Sequence, residues 1–294
     1  MLQAGFPVPP FIVIRPTVYR DWLASSQVPL RASRDPCESE MDATARDLAD
    51  TPIPEPSRSE LLHHITGALE RWGSLAVRSS ANVEDSGFLS FAGIFRTFLA
   101  VRDESAVLRA ITACFASIFS PASRRYLAST SPKRPTDLAM SVLLQAMAPA
   151  DRAGIMLTAD AVNLNHSVAI INASYGLGEA IVQGEVTPDT YLVRKRDRRV
   201  IERRLGAKDK ASRPTAAGSG TETYAPARAL SMEFALDADE LSALVTIGER
   251  LEHHFNFYQD VEWAIAGQTL YLLQSRPLTS TRLFYREAVA GESR

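Results

Sequence analysis

Four polar side chains stand at strand spacing in the last apolar segments of the chain. They are Asp260 and Glu262 in Gln259-Asp-Val-Glu-Trp263, and Gln274 and Arg276 in Leu270-Tyr-Leu-Leu-Gln-Ser-Arg-Pro277. Side chains two apart in a strand share a face, so each pair points one way. A three-residue loop at Ala266-Gly267-Gln268 sets Asp260 opposite Gln274 and Glu262 opposite Leu272, on one common surface. Carboxylate and amide oxygens are the hard ligands that magnesium prefers, and a fixed guanidinium fork matches a phosphate. A solvated sheet face is the competing reading. It predicts mixed charge but gives no reason for acid-x-acid on one strand to meet Gln-x-Arg on the next.

A second cluster lies earlier. Val77-Arg-Ser-Ser-Ala81 ends an apolar strand with an arginine beside hydroxyls, Glu84-Asp85 follows, and Gly87 and Gly93 bracket a loop before Thr97. Backbone amides freed by such a loop, together with Arg78, make a cradle for polyphosphate. Taken alone, the same residues read equally as an ordinary strand-to-loop exit. Tyr175-Gly-Leu-Gly-Glu179 is not a dinucleotide fingerprint, because position 181, where the third glycine belongs, is Ile. His63, His64, His166, His253 and His254 show no zinc-ligand spacing and are expected on surfaces or in packing.

These residues must be positioned by a mixed fold. Phe11-Ile-Val-Ile14 reads as a strand, followed by a helical pattern around Tyr19, Trp22 and Leu23. Residues 31–56, charged and carrying Pro52, Pro54 and Pro56, read as a loop or weakly ordered insertion. Ser57-x-x-Glu60 reads as a capping box ahead of Leu61, Leu62, Ile65, Leu69 and Trp72, with Gly73 closing the helix. A second helix is expected over about 104–126, with Cys114 in its core stripe. Residues 140–145, 153–158, 168–172 and 190–194 read as strands. The Lys/Ser/Gly/Thr-rich stretch 207–224 reads as a mobile loop. Asp237-x-x-Glu240 caps a helix with the stripe Leu241, Leu244, Val245, Ile247, Leu251 and Phe255.

With 294 residues, 46% hydrophobic and 22% charged, the composition is that of an ordinary globular protein, either one large α/β unit or two lobes. A net charge of -2 argues against general nucleic-acid binding, and no apolar run approaches the roughly 20 residues that span a bilayer. Cys37 and Cys114 follow no signal peptide, so reduced thiols in a soluble, cytoplasmic protein are expected.

In order along the chain come Ala4-Gly-Phe-Pro-Val-Pro-Pro10, Val77-Arg-Ser-Ser-Ala81 with Glu84-Asp85, Ser90-Phe-Ala-Gly93, Ile171-Asn-Ala-Ser-Tyr-Gly-Leu-Gly-Glu-Ala180, Pro188-Asp-Thr-Tyr191 and the closing hairpin. In these segments the sequence closely resembles the ATP-binding domain of the phosphoenolpyruvate synthase, pyruvate phosphate dikinase and rifampicin phosphotransferase family. The resemblance implies an α+β, ATP-grasp-like fold whose two lobes enclose a Mg-ATP site. Residues 1–200 then form the N-terminal lobe region, 201–280 the remainder with the ligand hairpin, and 281–294 a tail or linker.

Carried over residue by residue, the resemblance places Arg78 on the phosphates, Gly93 and Thr97 in the phosphate loop, and Gln145 near the adenine hinge. Glu262 and Gln274 match metal and phosphate ligands, and Asp260 and Arg276 match flanking acidic and phosphate-binding positions. Arg78 and Arg276 are the implied catalytic cations. Met147 and Glu179 are expected to pack rather than to touch ligand. In the family, ATP phosphorylates a histidine on a swivelling domain, which serves a third, pyruvate-binding domain. Neither signature occurs here, so partner domains on another chain or lost by truncation are expected.

Met1-Leu-Gln-Ala-Gly5 resembles the interior of a segment that relatives precede with a phosphate-binding lysine. Loss of such a cation costs about 1–3 kcal/mol of ATP affinity. The chain also departs from the pattern at Arg96, where relatives carry an acid, and at Ala161 and Leu164, where they carry Pro and Gly. Two functions follow. The first is an ATP-binding phosphotransferase component and the second a degenerate nucleotide-binding or interaction module without catalysis.

Overall fold

A computed structural model describes residues 1–28, 38–81, 95–130 and 138–278, the backbone alone at 38 and 126–130. The chain forms two interleaved compact units, one of Pro10–Met147 with Pro214–Thr221, the other of Met1–Pro9, Ala148–Arg213 and the chain from Glu222 onward. The division falls at 147/148, where the sequence reading divides the chain near 200.

In the first unit the apolar run at 11–14 becomes β1 (Phe11–Ile14), and Pro16 opens α1 (Pro16–Ser25), where a proline costs no helical hydrogen bond. Residues 38–49, read as loop, form α2 (Glu38–Ala49). Its anchor is Leu48, fully buried, and the Ala49 carbonyl accepts from Thr112 Oγ1 at 2.7 Å. Next is α3 (Ser57–Trp72), whose N-cap is Pro56 rather than Ser57. The expected capping box is therefore absent: the Glu60 N–H bonds the Pro56 carbonyl, and Glu55 Oε2 accepts from Ser59 N.

The sheet of this unit comprises β2 (Leu75–Ala81), β3 (Thr97–Val101) and, after the helices α4 (Glu104–Ala116) and α5 (Pro121–Thr130), β4 (Met140–Ala146), in the order β1-β4-β2-β3. The expected single helix over 104–126 is thus two. A 3-10 turn at Ser117–Phe119 intervenes, and Pro121 cannot supply the amide that continuation requires. Glu104–Arg125 has the length and hydropathy of a membrane span, yet Val107, Ile111, Cys114, Phe115 and Ile118 are fully buried against Leu75, Val77 and Leu144. Cys114 packs in this core, as its helical spacing predicts; Cys37 lies outside the described residues.

The second unit contains β5 (Arg152–Leu157), β6 (Val168–Tyr175), the short α6 (Glu179–Val182), β7 (Asp189–Arg194) and β8 (Val200–Arg204). The expected mobile loop at 207–224 instead holds β9 (Ala211–Pro214) and β10 (Thr221–Tyr224), which pair with each other. Then come α7 (Arg228–Ser231), α8 (Ala238–Phe255), β11 (Gln259–Ala266) and β12 (Thr269–Pro277). The capping box of α8 forms as its sequence predicts: Asp237 Oδ1 accepts from Glu240 N at 2.8 Å, and Glu240 Oε2 from Asp237 N at 3.0 Å.

Six strands make one sheet in the order β12-β11-β5-β6-β7-β8. Alternate residues Met156, Ile171, Tyr191, Val193, Val261 and Trp263 enter one core with Leu241, Leu244, Val245, Ile247 and Leu251 of α8. Each such side chain contributes about 1.5–3 kcal/mol by burial. Phe255, expected at the end of that stripe, is exposed, because the helix stops at Asn256 in the left-handed conformation. At the sheet centre a Cβ on Gly154 would lie 1.9 Å from the Asn172 carbonyl oxygen and 2.5 Å from Trp263 Cζ2. Gly154→Ala is therefore expected to lower the unfolding free energy by about 2 kcal/mol or more, read from urea denaturation. An unchanged midpoint would show that the strands can separate at little cost.

Candidate functional site

The hairpin of β11 and β12 turns on two residues, Gly267 and Gln268, with Ala266 opposite Thr269. A register shift between Glu262 and Trp263 then places Asp260 opposite Arg276 and Glu262 opposite Gln274. The pairing expected from a three-residue loop, Asp260 with Gln274 and Glu262 with Leu272, is thus corrected by two residues. Because the side-chain period is also two, the slip changes partners and keeps the face. All four side chains remain half-buried on the side of the sheet away from α8.

Arg276 donates from Nε at 2.8 Å and from Nη2 at 2.6 Å to Asp260 Oδ2. This charge-assisted contact fixes the guanidinium plane beside Glu262 and Gln274. Among the described residues there is no group of three or more His, Cys, Asp or Glu that would cage a metal. One carboxylate facing one amide nevertheless suits magnesium, which takes the rest of its shell from phosphates and water.

The same face extends across the sheet. Register aligns Gln274, Glu262, Ile155, Asn172, Thr190 and Arg204 in one transverse row, and Arg276, Asp260, Leu157, Ile170, Leu192 and Glu202 in the next. The face is polar at both margins and apolar between them. Asn172 and Thr190 were not singled out in the sequence. Their signal was available, since each alternates with buried neighbours in its strand.

The other expected residues stand on the four-stranded sheet. Arg78 lies opposite Thr97, and Ala76 opposite Gln145, so strand parity puts Arg78, Thr97 and Gln145 on one face. The opposite face carries Val77 and Leu144 into the core. Thr97 is exposed, Arg78 half-buried and Gln145 buried. Arg96 is exposed, and its carbonyl accepts from Ser79 Oγ at 2.9 Å. Gly93 lies outside the described residues, as do Glu84, Asp85 and Gly87. Met147 donates its backbone N–H to the Ser74 carbonyl, and Glu179 accepts from Gln183 Nε2 at 3.2 Å and from Ser212 Oγ at 3.4 Å.

Sequence reasoning missed a buried charge centre beneath the site face. Asp189 and Lys208 are fully buried and ion-paired. Asp189 Oδ1 also accepts from Gly206 N at 2.8 Å, and Oδ2 from Ala235 N at 2.7 Å and the Tyr191 hydroxyl at 3.4 Å. Burial pushes the Tyr191 phenol well above its ordinary range, with the Asp189 charge adding to that shift. The centre ties the start of β7 to the 206–208 segment and to the entry of α8. A lone acid opening an otherwise buried strand was the available signal, because such a charge requires a partner.

Asp160, in the loop after β5, is held below the ordinary carboxylate range. Burial opposes ionisation, and hydrogen bonds from the Asn163 amide and from the backbone of Asn163 and Val162 outweigh it. In that loop Leu164 has φ 52°, a left-handed conformation that explains the glycine preference noted at this position.

The chain matches the family described as "Pyruvate phosphate dikinase, AMP/ATP-binding domain" over residues 1–290, and it belongs to that family. It is an α+β nucleotide-binding domain of the phosphoenolpyruvate synthase and pyruvate phosphate dikinase class. Among curated relatives, it is 38% identical over 214 residues to "Probable phosphoenolpyruvate synthase" of Archaeoglobus fulgidus, covering 73% of this chain and 28% of the relative. It is 36% identical over 233 residues to "Rifampicin phosphotransferase" of Streptomyces sp, covering 78% and 26%. The chain thus spans about a quarter of the length of these relatives. Among solved structures, D-alanyl-alanine synthetase A from Vibrio cholerae aligns with 97% of this chain and 56% of its own at 13% identity and a TM-score of 0.35. The family assignment rests on the sequence match.

Two stability outcomes follow. Lys208→Ala strands a buried carboxylate and is expected to cost about 3–5 kcal/mol in urea unfolding; a loss under about 1 kcal/mol would mean that the backbone donors alone satisfy Asp189. Leu164→Gly relieves a left-handed side chain and is expected to raise stability by about 0.5–1 kcal/mol, after the entropy that glycine gives the unfolded chain. A lower melting midpoint would contradict that.

Proposed function

We propose that the chain binds Mg-ATP and presents it for phosphoryl transfer to a histidine on a carrier domain supplied outside this sequence. The observation that carries this reading is the cross-strand quartet. One carboxylate and one amide face each other, and beside them Asp260 holds an arginine in a fixed plane. Phosphoryl transfer needs chiefly positioning and neutralisation of charge, and both are present in this arrangement.

In this reading Glu262 and Gln274 hold the metal, which when bound neutralises and orients the phosphate oxygens. Arg276 binds a phosphate oxygen while Asp260 sets its direction. For the four-stranded sheet, the family resemblance supports Arg78, Thr97 and Gly93 as phosphate contacts and Gln145 as an adenine contact. Further support comes from the family membership and from the parity that brings Arg78, Thr97 and Gln145 to one face. The eventual acceptor, whether pyruvate or another small molecule, is selected elsewhere.

Calorimetric titration with ATP, with and without Mg²⁺, tests the reading. The wild-type chain is expected to bind only with the metal. Glu262→Ala is expected to abolish the Mg-dependent binding, and Arg276→Ala to weaken affinity roughly tenfold or more. Absence of binding by folded wild-type protein would leave the non-catalytic module as the better description.

A further inference from the structure

On the same sheet face Asn172 stands two strands beyond Glu262 and Thr190 three, and Thr190 Oγ1 donates a hydrogen bond of 3.0 Å to Asn172 Oδ1. That bond engages the amide oxygen, so the amide N–H₂ group is the part of Asn172 left to serve the open face. Both side chains are half-buried, and Arg204 ends the row beside Thr190. Ile155, the residue between Glu262 and Asn172, offers no polar atom to compete for a ligand. The Asn172 position therefore stands about 10 Å from that of Glu262, two strand spacings of roughly 4.8 Å. Such a span fits a polyphosphate chain. The station is rigid too, because a methyl group at Gly154 would meet the Asn172 carbonyl at 1.9 Å, which leaves β6 no room to approach further.

We propose that Asn172, oriented by Thr190, forms a second contact station of the site, which takes the phosphate chain of the bound nucleotide where it runs across β5 away from Glu262. The proposal rests on the nucleotide reading above and adds a direction for the ligand. Its donors are the Asn172 amide N–H₂, which the Thr190 hydroxyl orients by its own bond to the amide oxygen, and the guanidinium at the end of the row, and they suit phosphate oxygens better than a second cation. A purely structural Thr–Asn pair across two strands is the competing account, and it makes no distinction between nucleotides.

The test is calorimetric titration with ATP and, separately, with AMP, both with Mg²⁺, on the full chain and on Asn172→Ala, Thr190→Val and Glu262→Ala. Asn172→Ala is expected to weaken ATP roughly tenfold and to leave AMP within about twofold, because AMP lacks the phosphates that reach the station. Thr190→Val, which frees the amide to swivel, is expected to act in the same direction by roughly threefold. Equal losses for ATP and AMP overturn the proposal in favour of a structural pair. Unchanged ATP affinity in both variants overturns it while Glu262→Ala still loses binding. Should Asn172→Ala fail to fold, the near-isosteric Thr190→Val decides by the same ratio. Wild-type protein that binds neither nucleotide overturns the nucleotide reading itself, and this proposal with it.

Discussion

Strands β5, β6, β7 and β11 of the six-stranded sheet bury alternate side chains in one core with α8, and that pleat is the constraint from which the rest of the second unit follows. Met156, Ile171, Tyr191, Val261 and Trp263 occupy the buried positions. Their neighbours are thereby compelled onto the other side, whatever their chemistry. Asp260, Glu262, Gln274 and Arg276 form a site because the core has already chosen which way they point. The energy that orients them comes from apolar area on the opposite face, far exceeding what the polar contacts contribute among themselves.

The same constraint makes the face tolerant of irregularity in one direction only. At Glu262 and Trp263 the ladder with β12 slips, and the pairing moves by a whole side-chain period from the simplest expectation. A one-residue slip would have thrown Leu272 to the open side and Gln274 into the core, at the expense of both burial and hydrogen bonding. The irregularity is therefore compatible with the fold only in the form found, and in that form it sets Asp260 against the guanidinium it holds. Beneath the sheet, the Asp189 and Lys208 pair closes the start of β7 with donors from the 206–208 segment and the entry of α8.

Much of this was legible in the residues. The strands at 140–146, 152–157, 168–175 and 189–194 are dense in branched apolar side chains, and the capped helix at 238–255 follows from its box and stripe. The face shared by the hairpin quartet was legible because it needs only parity. What escaped depends on partners distant in the chain. Helix α2 looked like loop since its fully buried anchor is Leu48, amid charges that solvate the remainder. Ser57 has the type of a cap, yet Pro56 occupies that position and fixes the backbone first. Lys208 sat in a polar stretch, and nothing local says that its ammonium group is fully buried beside Asp189. The partners of Asp260 and Glu262 needed the turn length and the slip, and neither is written in alternation.

Among the described residues, strand β8 closes the six-stranded sheet on one side with β7 as its one neighbour, and Glu202, Arg203 and Arg204 along it are exposed. An edge of this kind presents free backbone donors and acceptors to any other extended chain. Two copies approaching edge to edge would have to strip water from Glu202, Arg203 and Arg204 before a ladder could close. The charge on β8 thus acts between molecules. It keeps an open-ended sheet from growing by addition, so the concentration at which such chains begin to associate is raised without any change to the fold itself.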